Sequence, residues 1–257
     1  DPDFGKMDVC SCRQGRVNAA LTDRLIQESN LGGYREMTFE RFNVKGRGQL
    51  RSDHEMYLTM ARDHALKFAK ERDGWLLLMG KYGTGKTHLA AAIANEVLAD
   101  HVPNIFLPVP DLLDWLRASY RDFTQSFEER FEQICRVPLL ILDDLGTQNS
   151  TPWAEEKLFQ ILNYRYVNRL TTVITTNSAL KELDGRIASR MEDPSLVTKV
   201  VIVAPDYRNP AADSVERDDL SILHLLMNRT FDSFDSRKRE ALFPEAVSQL
   251  ANAYQKA

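Results

Sequence analysis

Eight consecutive residues in the first half of the chain have the types and spacing of a phosphate-binding loop. Residues 80–87 read Gly-Lys-Tyr-Gly-Thr-Gly-Lys-Thr and fit the pattern G-x-x-x-x-G-K-[ST]. Glycines let such a backbone curl so that successive N–H groups point at phosphate oxygens. Lys86 can reach the β- and γ-phosphates of a nucleotide, and the Thr87 hydroxyl can ligate Mg²⁺. The residues of this segment that we expect at the nucleotide are Gly80, Tyr82, Gly83, Thr84, Gly85, Lys86, Thr87 and His88.

Two adjacent carboxylates, Asp143 and Asp144, follow a second apolar run of the kind expected for a buried strand. Residues 139–144 read Leu-Leu-Ile-Leu-Asp-Asp. We expect Asp143 to hold the magnesium shell together with Thr87, and Asp144 to orient or deprotonate the attacking water. A Glu is more usual at the second position, so a site that binds ATP but hydrolyses it slowly stays open as an alternative.

Four further polar residues are candidates for the same site. Asn177 follows a strand-like run at 172–176, where its amide can hold a water against the γ-phosphate. Arg186, Arg190 and Arg208 are candidates to stabilise the charge that develops on this phosphate, including across a contact between two subunits. From these residues alone, a turn asparagine and solvated surface arginines remain the alternative interpretation.

Strand-like and helix-like runs alternate around these motifs, which predicts an α/β fold with a parallel sheet and crossover helices. Short apolar runs predict strands at residues 75–79, 104–107, 138–142, 172–176 and 199–203. Helical spacing predicts helices at residues 17–30, 53–72, 88–98, within 111–135, at 153–168 and 184–191, and two more around 220–227 and 244–256. The carboxyl ends of the strands then carry the chemistry-bearing residues.

The composition is that of an ordinary globular protein and excludes several classes. The 257 residues contain 33 Lys and Arg against 37 Asp and Glu, a net charge of −4, which argues against binding nucleic acid or membrane by bulk charge alone. The longest apolar runs, Trp75–Met79 and Val137–Leu142, are far shorter than the ~20 residues of a membrane-spanning helix. Cys10, Cys12 and Cys135 are too few for a disulfide framework. We expect a cytoplasmic protein with reduced thiols and no membrane attachment.

Taken together, the motifs resemble the AAA+ ATPases of the DnaC/DnaI helicase-loader group, which also includes the IstB transposition ATPases. Besides the loop and the Asp pair, the resemblance is carried by residues 87–95, 109–113, 151–158, 173–177 and 186–191. It implies an AAA+ P-loop fold of three layers with a central parallel sheet, a short N-terminal helical segment and a C-terminal helical extension. The implied organisation is an N-terminal segment at 1–36, an ATPase domain at 37–209 and an extension at 210–257.

The resemblance also implies roles for individual residues. Asn177 falls at the position that senses nucleotide after the fourth strand, and Arg208 near an arginine that does so in cis. Arg190 falls at the arginine that acts on the neighbouring subunit's nucleotide, with Arg186 one turn earlier. Phe39, together with Phe42, matches a segment on the nucleotide-base side of the site. The implied cofactors are ATP and Mg²⁺.

The function implied by the resemblance is a slow ATPase, stimulated by self-assembly or DNA, that loads a replicative hexameric helicase on single-stranded DNA. In this group the helical insert, here residues 111–135, lines the path of the DNA. Residues 111–136 carry a net charge of −2, which makes no evident phosphate track, and Arg117 and Arg121 are the best local candidates. Two alternatives stay open: a transposition regulator that assembles on double-stranded DNA, and an adaptor gated by nucleotide binding.

Two features depart from short loaders. Cys10 and Cys12 look like half of a zinc ribbon, but a closed zinc site needs four ligands, so zinc is not expected unless residues upstream of the given sequence supply the other pair. The C-terminal extension contains Thr-Phe-Asp-Ser-Phe-Asp at 230–235, which parallels Thr-Phe-Glu-Arg-Phe-Asn at 38–43. This raises the hypothesis that the extension repeats residues 38–70 and docks in the same groove.

Overall fold

The computed structural model describes residues 29–47, 50–118, 127–146 and 151–208. Most of the predicted helix at 17–30, the Cys10–Cys12 pair and the C-terminal extension with its proposed repeat lie outside the described residues, as does Arg121. Those predictions therefore stay predictions.

A five-stranded parallel sheet forms the centre of the described molecule. The strands lie in the order β2-β3-β4-β1-β5. Because they are parallel, their carboxyl ends all lie at the same edge of the sheet. Their bounds are β1 Trp75–Gly80, β2 Asn104–Pro108, β3 Leu139–Leu145, β4 Thr172–Thr176 and β5 Val197–Ile202. All side chains of β1 and β4 are buried, as expected for strands covered on both faces.

Helices cover both faces of this sheet. In the described part of the chain they are α1 Ser52–Glu71, α2 Lys86–Ala99, α3 Val109–Ala118, α4 Phe127–Arg136, α5 Pro152–Val167 and α6 Gly185–Met191. Two of them begin at residues that cap the free N–H groups of a first turn. The Thr151 hydroxyl accepts from Ala154 N before α5, and the Asp184 carboxylate accepts from Arg186 N and Ile187 N before α6.

The hydrophobic core consists of two halves, one on each face of the sheet. Leu76 and Leu78 of β1 pack with α1 and α2 on one face, while Leu77 and Met79 pack with α3 to α6 on the other. The alternation follows from the two-residue period of a strand. Helix, sheet and helix therefore form three layers, which confirms the predicted fold class.

Within the described residues, the predicted strands and helices are present with shifted ends. The largest shift is in β3, which continues through Asp143 and Asp144 to Leu145 instead of ending at Leu142. A buried strand tolerates Asp143 because two hydroxyl groups donate hydrogen bonds to its carboxylate. These partners are distant in sequence, so the apolar run alone does not predict that the strand continues through Asp143. The predicted strand at 199–203 begins two residues earlier, since Val197 pairs with Trp75 of β1.

Two other expectations can be compared with the described residues. Cys135 is a free, buried thiol, and burial raises its pKa to about 11. Within the described ranges, no helix is both long enough and apolar enough to cross a membrane.

Candidate nucleotide-binding site

A cavity of about 450 Å³ opens where β1, β3, β4 and β5 end. A volume of this size suits a small organic ligand. It brings together most residues that the sequence analysis assigned to the nucleotide. The predicted residues that line it are Tyr82, Gly83, Thr84, Gly85, Lys86, Thr87, His88, Asp144, Asn177 and Arg208.

The loop between β1 and α2 has the left-handed backbone that its glycines allow. Gly83 has φ 70° and Gly85, which caps α2, has φ 93°. The Thr84 hydroxyl donates to the Lys81 carbonyl at 3.0 Å and closes the turn. The start of α2 therefore faces the cavity, where free N–H groups and the helix dipole favour an anion.

The ammonium of Lys86 is buried at the floor of this loop. Its side chain is 4% exposed, and Nζ donates to the carbonyl oxygens of Gly80 at 2.9 Å and Lys81 at 2.6 Å. Burial lowers the pKa of Lys86 to about 8, while the nearby carboxylates of Asp144 and Asp143 oppose that shift. Because its partners are neutral carbonyls, a phosphate in the cavity would supply a counter-charge close to this ammonium.

Asp143 faces the first turn of α2. The Thr87 hydroxyl donates to Asp143 Oδ2 at 3.0 Å, and the Thr175 hydroxyl donates to Asp143 Oδ1 at 2.7 Å. Burial raises the pKa of Asp143, and the hydrogen bond from Thr175 counteracts this. Within the described residues no cluster of three or more His, Cys, Asp or Glu side chains could hold a metal ion. A hydroxyl and one carboxylate still fit Mg²⁺, which takes few protein ligands beside phosphate and water.

Asp144 and Asn177 meet at the cavity wall. Asn177 Nδ2 donates to Asp144 Oδ1 at 3.2 Å, so the amide and the second carboxylate form a pair. The other amide atom, Asn177 Oδ1, is buried and has no hydrogen-bond partner among the described residues. The pair places the Asp144 carboxylate at the cavity wall, where it can accept a hydrogen bond from a water molecule.

The predicted arginines divide between two places. Arg208 lies at the cavity, where its backbone N–H donates to Asp206 Oδ1 at 2.8 Å. Arg186 and Arg190 of α6 do not line the cavity. Arg186 forms ion pairs with Glu156 and Asp184.

Arg190 is held by residues of α5. Its Nε and one terminal nitrogen donate to Asn163 Oδ1 at 3.1 and 2.5 Å, and its guanidinium lies 4.6 Å from the ring centre of Phe159. Within its own chain Arg190 therefore does not reach the nucleotide cavity.

The N-terminal wall of the cavity differs from the expected one. Phe39 is buried in the core and does not line the cavity, whereas Phe42 does. The Phe42 ring packs edge-on to His88, with ring centres 5.3 Å apart, and His88 Nε2 lies 2.8 Å from the Thr38 carbonyl. Further lining residues that the sequence analysis missed are Met37, Arg41, Asn43, Gly46, Arg47, Leu50, Leu58, Ala204, Pro205, Asp206 and Tyr207.

Gly85 offers a direct test of the cavity geometry. In a Gly85→Ala variant the new methyl group would lie 2.7 Å from the Phe42 ring, on a backbone with φ 93° that alanine rarely adopts. We expect nucleotide affinity to fall by about tenfold or more, because relieving this strain moves the loop or the ring. Titration calorimetry with ATP measures the change.

Gly33→Ala is the matched control for this variant. A methyl group at Gly33 would meet no atom within 4 Å. It should leave the affinity unchanged, and an unaltered affinity in Gly85→Ala would contradict the assigned geometry of the loop.

Comparison with known proteins also indicates a nucleotide-binding protein. A family model described as IstB-like ATP binding protein matches residues 54–201. The replicative helicase loader DnaC of Escherichia coli strain K12 is 28% identical over 193 residues, which cover 70% of this chain and 75% of DnaC. The replicative helicase loader DnaI of Bacillus subtilis strain 168 is 34% identical over 177 residues, which cover 66% of this chain and 52% of DnaI.

Solved structures share the fold. A crystal structure of DnaI matches with a TM-score of 0.53 and 27% identity, over 68% of this chain and 93% of that one. A crystal structure of the DnaC helicase loader matches with a TM-score of 0.56 and 22% identity, over 67% and 99% of the two chains. The AAA+ P-loop fold and the homology to helicase loaders are thereby confirmed. The chain belongs to the family of IstB-like ATP binding proteins.

Proposed function

We propose that this protein is an ATPase that loads a replicative hexameric helicase onto single-stranded DNA in the cytoplasm. The observation that carries the ATPase part is one chain of hydrogen bonds that begins and ends with residues lining the cavity. It runs from Thr87 through Asp143 and Thr175 to the backbone of Asp144, whose carboxylate contacts Asn177. Homology to two replicative helicase loaders supports the partner.

The triphosphate would bind along the glycine-rich loop at the start of α2. Lys86 exchanges its carbonyl partners for phosphate oxygens, which stabilises the ammonium that burial disfavours. Thr87 and Asp143 would hold Mg²⁺, which supplies charge neutralisation at the phosphates when bound. Arg208 adds a positive charge at the cavity rim.

The attacking water would be held by Asp144 and Asn177. The Asn177 amide binds the Asp144 carboxylate at the cavity wall, and this carboxylate can accept the proton of the water. Asp144 is shorter than Glu by one methylene, so turnover is expected to be slow and to depend on assembly or DNA.

Arg190 would act on the cavity of a second copy of the chain. Its guanidinium is ordered by Asn163 and Phe159 but lies away from its own cavity. An ordered arginine at a site distant from its own nucleotide can complete a neighbour's site on self-assembly.

The proposed contact with single-stranded DNA rests on α3, α4 and the start of α5. Arg117 lies 5.0 Å from the ring centre of Trp153, and Arg130 lies 5.3 Å from that of Trp115. Arginine and aromatic groups in proximity can bind phosphates and stack on bases. Single-stranded DNA would therefore bind these local arginine–aromatic pairs, although the net charge of the protein is negative.

Asp144→Asn tests the proposed cycle. Because the amide cannot accept a proton, ATP turnover should fall by about 100-fold or more while ATP affinity stays within a few-fold of the wild type. Phosphate release and calorimetry measure the two effects. The trapped variant should then bind the purified replicative helicase of the same organism more tightly with ATP than without nucleotide.

The remaining alternatives correspond to other outcomes of this experiment. No helicase binding together with ATP-dependent filaments on duplex DNA would favour the transposition regulator. Helicase binding that is equal in the wild type and Asp144→Asn, with negligible turnover in both, would favour the nucleotide-gated adaptor. Glu132→Gln is a control, since Glu132 pairs with Arg136 on the exposed face of α4.

A further inference from the structure

The end of β3 contains an irregularity that lies between the two functional carboxylates. β3 and β4 run in regular register from Leu140 with Thr172 to Leu142 with Ile174, and the next pair is Leu145 with Thr176. Three steps along β3 therefore correspond to two steps along β4. This is a β-bulge, which inserts one extra residue and re-aims the side chains around it. Asp144 has φ 57°, a left-handed conformation that is uncommon for Asp.

One side chain of β4 contacts both residues of this bulge. The Thr175 hydroxyl donates to Asp143 Oδ1 at 2.7 Å and accepts from the Asp144 backbone N–H at 2.9 Å. Thr175 is 0% exposed, so water does not compete for these bonds. A hydroxyl has a single hydrogen, and the donor to Asp143 is thereby committed.

The two bonds have different consequences for the two carboxylates. The bond to Oδ1 of Asp143 leaves Oδ2 for the Thr87 hydroxyl, which turns that oxygen towards the start of α2. The hydrogen bond from the Asp144 N–H holds the left-handed backbone at this residue. The Asp144 carboxylate then contacts Asn177 at the cavity wall. One threonine thus links the carboxylate proposed for the metal to the carboxylate proposed for the water.

We propose that Thr175 is a positioning residue that sets both carboxylates for the Mg²⁺–nucleotide complex. This inference rests on the proposed ATPase function and deepens it, because it names the group that couples the metal side of the site to the water side. Partners that orient a metal-binding carboxylate typically change metal affinity by about 10–100-fold when they are lost.

Thr176, the next residue along β4, provides a matched control. Its hydroxyl donates to the Leu145 carbonyl at 2.6 Å on the far side of the same bulge, and it is also 0% exposed. It forms no hydrogen bond with either carboxylate in the described structure. A Thr→Val change at either position removes a buried hydroxyl from the same strand at nearly constant volume, but only one of them contacts the acids.

The test compares Thr175→Val, Thr175→Ser and Thr176→Val in the full chain. Nucleotide binding is measured by calorimetry with ADP in the absence of metal, and with ATP at increasing Mg²⁺. Metal-free ADP affinity should be equal in all variants, because the phosphate loop is untouched. The Mg²⁺ concentration that gives half of the metal-dependent gain should rise about 10-fold or more in Thr175→Val. It should stay at the wild-type value in Thr175→Ser and Thr176→Val.

The outcomes distinguish this inference from the proposed function. Wild-type Mg²⁺ dependence in Thr175→Val, or an equal rise in Thr176→Val, would overturn the positioning role and leave the ATPase proposal standing. An absence of Mg²⁺-dependent ATP binding in the wild type itself would overturn both. If Thr175→Val does not fold, as judged by thermal unfolding, Thr175→Ala against Thr175→Ser gives the same comparison, because serine alone restores the hydroxyl.

Discussion

Lys86→Ala is expected to weaken ATP binding by at least about 100-fold, because a buried ammonium that contacts phosphate is worth about 3 kcal/mol. Lys86 is 4% exposed, and its ammonium donates to the carbonyls of Gly80 and Lys81 close to the carboxylates of Asp144 and Asp143. Its removal therefore leaves the phosphates without a charged partner at the floor of the loop. Titration calorimetry with ATP and Mg²⁺ measures the loss.

The fold should survive this substitution. Keeping a charged lysine out of water is costly, so alanine removes a desolvated group rather than a stabilising ion pair. The thermal midpoint without nucleotide should stay within a few degrees, while the rise on adding ATP should vanish. Lys67→Ala is the matched control, since Lys67 is exposed on α1. Equal ATP binding by Lys86→Ala and Lys67→Ala would refute the nucleotide site.

The second large effect concerns Arg190. We expect Arg190→Ala to bind ATP normally and to lose turnover by about 1,000-fold, the size of effect known for arginines that act across an interface. Mixing it with Lys86→Ala protein should partly restore turnover. In a random equimolar mixture about a quarter of the interfaces pair an intact Lys86 with an intact Arg190 of the next subunit. Phosphate release by the mixture measures the rescue.

The rescue depends on where Arg190 lies. Its guanidinium is bound to Asn163 and stacked on Phe159, away from the cavity of its own chain. Arg62→Ala is a suitable control, because Arg62 lies on α1 and pairs with the exposed Asp63. A mixture no more active than the sum of its components would mean that each chain works alone, which would contradict the proposed interface.

Much of the site follows from short stretches of sequence. The residue types of the loop at 80–87 specify both its backbone conformation and its chemical groups. In the structure this loop lies between a buried strand and a helix, as predicted. The same holds for the strand that leads to the Asp pair. Such motifs can be identified from sequence because the glycines, the lysine and the hydroxyl lie within eight consecutive residues.

The N-terminal wall of the cavity could not be predicted in the same way. Phe39 and Phe42 stand in the same short segment, and the prediction that placed Phe39 at the nucleotide is wrong, since Phe42 lines the cavity. Both rings are buried in the same core cluster, and only Phe42 also lines the cavity, next to His88. The choice depends on how the segment packs on α2, some forty residues further along the chain.

Arg165 is a second example. In sequence it is one of several charged residues on a helix, yet its side chain is 0% exposed and burial lowers its pKa to about 10. Its guanidinium donates to the carbonyls of Cys135, Val137 and Thr171 and to the Thr172 hydroxyl. The cation thereby ties the end of α4 to the starts of β3 and β4 through groups that no local pattern connects.

The sequence by itself therefore determined the fold class, the phosphate loop and the identity of the acidic pair, because hydrophobic period and motif chemistry are local properties of the chain. The tertiary structure alone decided which carboxylate oxygen faces Thr87, how the bulge at Asp144 is held by Thr175, and that Arg190 lies away from its own cavity. These features join residues about thirty to sixty positions apart, and their geometry arises only when strands and helices pack against one another.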